Sequence, residues 1–133
     1  MPHIFSYNAF KNYTPRVQAY ADKHSPVVVC APTAQRGLPF SVTVRIGITE
    51  KHPNTSEHHF CYLQLWDLET LIAETQFDHR ALGEKPLQIE VCFTIVPQRS
   101  LRLIAMAYCN KHGLWQSEEV FVQAPESHFG SVS

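Results

Sequence analysis

Cys109 and His112 stand three residues apart in the run YCNKHGLW, Tyr108 to Trp115. In a tight loop, a thiolate and an imidazole at that spacing can bind one metal ion. Gly113 would let the backbone turn sharply, and Leu114 and Trp115 would shield one side from water. A single Cys-x-x-His pair is a weak motif, and a buried cysteine beside a surface histidine accounts for it equally well. A second run, HPNTSEHH, spans His52 to His59 and holds three histidines. Pro53 and Asn54 are turn formers, so His52 and His58 can fold back towards each other. Neutral imidazole is a metal ligand of intermediate softness, and such crowding is hard to explain by packing. The alternative is a solvated polar turn. Only one of the adjacent pair His58 and His59 can easily face a site, because neighbouring side chains leave a strand on opposite sides. The third run, DKHSP from Asp22 to Pro26, is by itself an ordinary charged loop, and its weight comes from the other two.

The elements that must position these residues read as β-strands. Runs rich in β-branched and aromatic residues occur at Val27–Cys30, Phe40–Ile48, Phe60–Trp66, Leu71–Phe77, Leu87–Val96, Leu101–Tyr108 and Glu119–Gln123, separated by Pro, Gly and polar clusters. Phe40, Val42, Val44, Ile46 and Ile48 alternate with Ser41, Thr43, Arg45 and Gly47, the period of a half-buried strand. Leu87, Ile89, Val91, Phe93 and Ile95 repeat the pattern, with Cys92 ambiguous. The turn formers of Pro97-Gln98-Arg99-Ser100 predict an antiparallel hairpin into the next strand. No stretch holds a helical apolar period. About seven short strands with turns at this spacing predict an all-β chain folded as an antiparallel β-sandwich. Residues 1–20 read as an extended N-terminal arm, 21–125 as the sandwich domain and 126–133 as a flexible tail. Cys30, Cys61 and Cys92 lie inside predicted strands and read as small buried apolar residues. His3, His79 and His128 fall outside the motifs.

The 133 residues make one domain's worth of protein, and an apolar content of 44% against 17% charged residues favours a folded chain. A formal net charge of −1 argues against a nucleic-acid or anionic-membrane binder. No apolar stretch approaches the roughly 20 residues needed to span a bilayer. The opening MPHIFSYNAFKNYTPR shows no export signal, so a cytoplasmic setting is expected. Four scattered cysteines with no CxxC point away from a disulfide framework there, and towards a metal ligand or nucleophile.

Taken together, DKHSP, HPNTSEHH and CNKHGLW, in this order, resemble the superoxide reductases, specifically the one-domain neelaredoxin type of the desulfoferrodoxin group. The segment GLPFSVTVRIG (Gly37 to Gly47) also resembles the strand leading into that family's histidine loop, so the likeness runs from about Asp22 to Val122. It implies an immunoglobulin-like sandwich holding a mononuclear non-haem iron with four equatorial histidines and one axial cysteinate. Carried over position by position, the ligands would be His24, His52, His58 and His112, with Cys109 axial, and Lys23 would match the family's active-site lysine. The implied activity is one-electron reduction of superoxide to hydrogen peroxide. The implied partners are a small electron donor such as a rubredoxin, and further copies of this chain. The family usually has glutamate before the lysine, used to cap the iron after oxidation; here stands Asp22, one methylene shorter. Glu50-Lys51-His52-Pro53 offers a second acidic-Lys-His-Pro run, but Lys51 sits where the family leads into its histidine loop. No CxxC exists to build the rubredoxin-like module of two-iron members.

That ligand set suits the chemistry. Five donors leave one octahedral position open, and a thiolate opposite the vacancy pushes electron density through the metal, as in thiolate-ligated haem enzymes. Lys23 would attract the anion and organise water for proton delivery. Tyr108 and Trp115 would pack around the cysteine, and His59 would lie behind the ligands or in the core. Two other readings compete. A blue-copper electron carrier would also pair Cys109 and His112 in a C-terminal loop, with Gln116 as axial ligand, but needs only one upstream histidine. A non-enzymatic metal-binding sandwich would keep the site without turnover.

Overall fold

The computed structural model describes residues 3–4 and 15–126. Along the chain run β1 (His3–Ile4), α1 (Pro15–His24), β2 (Val27–Val29), β3 (Phe40–Ile46), β4 (Phe60–Asp67), β5 (Thr70–Gln76), a short 3₁₀ helix (His79–Leu82), β6 (Ile89–Ile95), β7 (Leu101–Cys109), β8 (Gly113–Gln116) and β9 (Val120–Val122). One sheet has the order β1-β8-β7-β4-β5, with β9 beside the first half of β7; the other has the order β2-β3-β6. Every pairing between strands is antiparallel except the short β1–β8 pair.

The two sheets form a sandwich because strict alternation gives each one apolar face. On β7, Leu101, Leu103, Ala105, Ala107 and Cys109 are all buried, and they meet Val42, Val44 and Ile46 of β3 in one core. Each large aliphatic side chain hidden there contributes about 1.5–3 kcal/mol to folding. Strand β4 departs from simple alternation. Phe60 lies opposite Cys109 while Tyr62 lies opposite Tyr108, so Cys61 is an extra residue in a β-bulge. The bulge lets Phe60, Leu63 and Leu65 all point into the core.

The seven expected strands are present, with ends shifted by a few residues. Strand β3 stops at Ile46 rather than Ile48 because Gly47 takes φ +76° and turns the chain; a Cβ there would lie 3.0 Å from the Glu50 carbonyl oxygen. Four expectations are corrected. The chain from residue 15 to 24 is a helix, where an extended arm followed by the lead-in to a strand was expected; residues 5–14 and 127–133 lie outside the described residues. Pro15 opens the helix, a position where its missing N–H costs nothing. Residues 97–100 do not close a hairpin, because β6 and β7 belong to different sheets and the turn carries the chain across the sandwich. Cys92 pairs with Thr43 and is exposed, and Cys30 and Cys61 are only half-buried. Residues 113–116, expected only as part of a loop, form β8 and complete a tight hairpin with β7. Among the described residues, no helix is long and apolar enough to cross a membrane.

Candidate metal centre

Cys109 is the last inward residue of β7 and is fully buried. The β7–β8 hairpin folds back over it, with Gly113 opposite Cys109 at φ +86°. Burial pushes the Cys109 thiol above its ordinary value, opposed by hydrogen bonds from the backbone N–H groups of Lys111 and His112. Those two donors are already aimed at the sulfur and would stabilise a thiolate.

Each histidine arrives from a different device. His24 ends α1, fully buried, and its Nδ1–H donates to the Tyr20 carbonyl at 2.8 Å. His52 is held by a two-way backbone bridge to Leu87, and its Nδ1–H donates to the Pro53 carbonyl at 2.6 Å. In both rings the outward nitrogen therefore carries the proton, leaving the Nε2 lone pair to face inward. His58 closes a turn whose ends, Thr55 and His58, exchange backbone hydrogen bonds of 2.9 and 3.2 Å. His112 sits in the hairpin three residues after the cysteine.

The ligand atoms of His24, His52, His58 and Cys109 all lie within 4.8 Å of one another. His112 joins them through Nδ1, which is 3.1 Å from His24 Nε2, 3.2 Å from His58 Nε2 and 4.0 Å from Cys109 Sγ. Cys109 Sγ is 3.4 Å from His52 Nε2. Burial is the largest reason that all four imidazoles resist protonation. His24 is lowered to about 4 and His52 to about 3, and His58 and His112 are lowered as well. Neutral rings cannot satisfy this arrangement among themselves. His112 Nδ1 has at most one proton for two nitrogen neighbours, and His24 Nε2 has none to give. Converging lone pairs are relieved by a cation between them, and imidazole with thiolate is a donor set for a transition metal. The donors therefore fit a metal centre.

All five sequence-derived ligand candidates are thus in one cluster. Lys23 is half-buried beside it and, with Lys111, adds positive charge that lowers the proton affinity of His58 and His112. Tyr20 and Phe60 lie outside the three motifs, and the parts played by Asn110 and Asn54 inside them were not anticipated. Tyr20, on the unanticipated helix, lays its ring against His24, Trp115 and His112 at centroid distances of 4.7, 5.3 and 5.5 Å. Phe60 lies 4.3 Å from the His52 ring. Asn110 ties the histidine loop to the cysteine hairpin: its side-chain oxygen accepts the His59 N–H, its amide donates to the Glu57 carbonyl, and its backbone N–H donates to the His59 carbonyl. Asn54 is buried and donates to the carbonyls of His79 and Gly83 rather than simply forming a turn. Tyr108 stacks on Tyr62 across the strands, not around the cysteine. His59 turns away from the cluster, donating Nδ1–H to the Thr55 carbonyl and stacking on His79.

A two-sheet β-sandwich that gathers imidazoles and one buried thiol at the end of a central strand defines a metal-binding domain with a mixed His/Cys donor set. The chain belongs to the desulfoferrodoxin family, which it matches over residues 16–118. It is similar to the superoxide reductase of Thermococcus kodakarensis, 33% identical over 104 residues that cover 73% of this chain and 85% of the relative. The superoxide reductase of Pyrococcus furiosus is 32% identical over 110 residues, covering 73% and 86%. In three dimensions the chain resembles a superoxide reductase (neelaredoxin) from Ignicoccus hospitalis, with a TM-score of 0.69 over 92% of this chain and 94% of that one. At 23% identity this is a likeness of fold.

Proposed function

We propose that this protein is a superoxide reductase, using a mononuclear iron held by His24, His52, His58, His112 and Cys109. The observation that carries this reading is the convergence of imidazole lone pairs and the buried thiol on one point, in a chain of the desulfoferrodoxin family. When bound, the iron supplies one electron per turnover from its ferrous state.

The protein's own groups do the rest. The outward Nδ1–H bonds of His24 and His52 fix their tautomers, so both Nε2 atoms are available without a proton having to leave. The N–H groups of Lys111 and His112 offset part of the cost of burying the Cys109 sulfur as a thiolate, and a bound cation would supply the rest. Trp115 and Phe60 exclude water from the buried side of the cluster. Lys23 has no lone pair to offer a metal while protonated; its charge draws the superoxide anion in, and its N–H groups organise the water that delivers protons. Superoxide takes up one electron and two protons and leaves as hydrogen peroxide. The electron is replaced by an external one-electron carrier of the rubredoxin kind, which must dock transiently. The same reading gives a cytoplasmic protein that associates with copies of itself.

Metal analysis combined with superoxide consumption under a supplied reductant tests this function. The expected outcome is one iron per chain, with one peroxide formed and one reductant electron consumed per superoxide. Absence of bound iron, or release of dioxygen in the proportion of a dismutation, would overturn it.

A further inference from the structure

Asp22 lies next to Lys23 and His24 at the end of α1, and only 7% of it is exposed. A carboxylate at that depth must be fully paired. Its Oδ2 accepts the backbone N–H groups of Thr49 and Glu50, at 2.8 and 2.7 Å. These two donors belong to the loop that Gly47 turns out of β3 and that leads, two residues after Glu50, to His52. The carboxylate therefore lashes the end of the helix, which carries His24, to the loop that carries His52. The two imidazole rings so joined lie 4.9 Å apart, edge to face.

We infer that Asp22 is a positioning residue that sets the His24–His52 angle by accepting these two N–H groups, and that it does not act as a ligand itself. The inference rests on the metal-centre reading above. Three features of the chain make such a strut necessary. A ten-residue helix is marginal by itself in water. Among the described side chains of the helix, the buried ones are the polar Asp22 and His24 and the small Ala21, which give it little apolar grip. The loop from Gly47 to Glu50 has no regular pairing to hold its amides.

Cobalt(II) titration of the metal-free protein provides the test, read by the thiolate-to-cobalt charge-transfer band and the ligand-field bands. Asp22→Ala should weaken cobalt binding about 10- to 100-fold, the range for losing a group that orients a ligand, and should shift the ligand-field bands. Asp22→Asn keeps an oxygen able to accept both N–H groups and should stay within about threefold of wild type, with an unchanged spectrum. Wild-type behaviour in Asp22→Ala would overturn the inference. So would equal damage in both variants, which would mean that the charge itself acts at the metal. Wild type giving no thiolate band would instead sink the metal-centre reading, and this inference with it. Amide hydrogen exchange at Thr49 and Glu50 does not depend on Asp22→Ala folding. It should be slow in wild type and in Asp22→Asn, and fast exchange in wild type would overturn the strut.

Discussion

Trp115 lies almost parallel to His24, with ring centroids 4.8 Å apart and 17° between planes, while its Nε1–H donates to the His112 carbonyl at 3.2 Å. One side chain thus steadies two histidines that are 88 residues apart in the chain. It does so by a face and by an edge, which are separable by mutation.

Trp115→Phe should keep much of the face and lose the edge, whereas Trp115→Ala should lose both. Removing a fully buried tryptophan costs about 3–5 kcal/mol, so the alanine variant should show a large drop in denaturant midpoint and the phenylalanine variant a smaller one. The N–H contribution is seen separately as weaker metal retention in Trp115→Phe against a chelator.

Cys109→Ser should abolish the thiolate-to-iron charge-transfer band and sharply slow superoxide reduction. His24, His52, His58 or His112 changed to Ala should lower iron occupancy or reshape the spectrum. His79→Ala, which among the described histidine rings touches only His59, should do neither. Absorption spectra and metal analysis of the purified variants decide.

Lys23→Ala should leave iron content and spectrum nearly intact while slowing the reaction with superoxide. Lys111, exposed in the hairpin between Cys109 and His112, adds to the same field, so Lys111→Ala should slow the reaction in the same direction. Raising ionic strength should slow wild type more than either variant, because part of the rate is electrostatic attraction. Lys51→Ala is the matched control for the Glu50-Lys51-His52-Pro53 run and should leave the rate nearly unchanged. Pulse-radiolysis rates across a salt series measure all four proteins.

In the metal-free protein, stability should fall with acid in a defined window. His24 and His52 have folded values lowered to about 4 and about 3, chiefly by burial, from an ordinary 6.5. Between those limits the unfolded chain binds protons that the folded chain refuses, so stability is full above about pH 6.5 and declines as pH drops towards 4. The melting temperature should accordingly be lower at pH 5 than at pH 7.5. Protons competing for the same nitrogens should release bound metal in the same direction.

The strands were readable because a half-buried strand writes its burial directly as alternation: β3 and β6 show it residue by residue. The ligand candidates were readable for a different reason, since few tasks call for so many histidines in company with a cysteine. Helix α1 escaped because the buried ones among its described side chains are Ala21, Asp22 and His24, one small and two polar, which write no clear apolar period. The turn at 97–100 has ordinary turn chemistry, and nothing local to it says whether the next strand joins the same sheet or the opposite one. Tyr20 and Phe60 act through contacts with residues far away in sequence that no short motif encodes, and Asn110 stands inside CNKHGLW, where the motif does not disclose its bonds to Glu57 and His59.

The extra residue at Cys61 does more than let Phe60 reach the core. Counting back by twos from the inward Leu63, an unbroken strand would point residues 61 and 59 into the sandwich and residues 60 and 58 out of it. One inserted position reverses that parity, so the chain entering β4 presents Phe60 and, two residues earlier, His58 to the cluster, while His59 is turned to His79. The bulge is therefore a selector between two adjacent and chemically identical side chains. Deleting Cys61 would leave every candidate ligand in the sequence and yet hand the position of His58 to its neighbour.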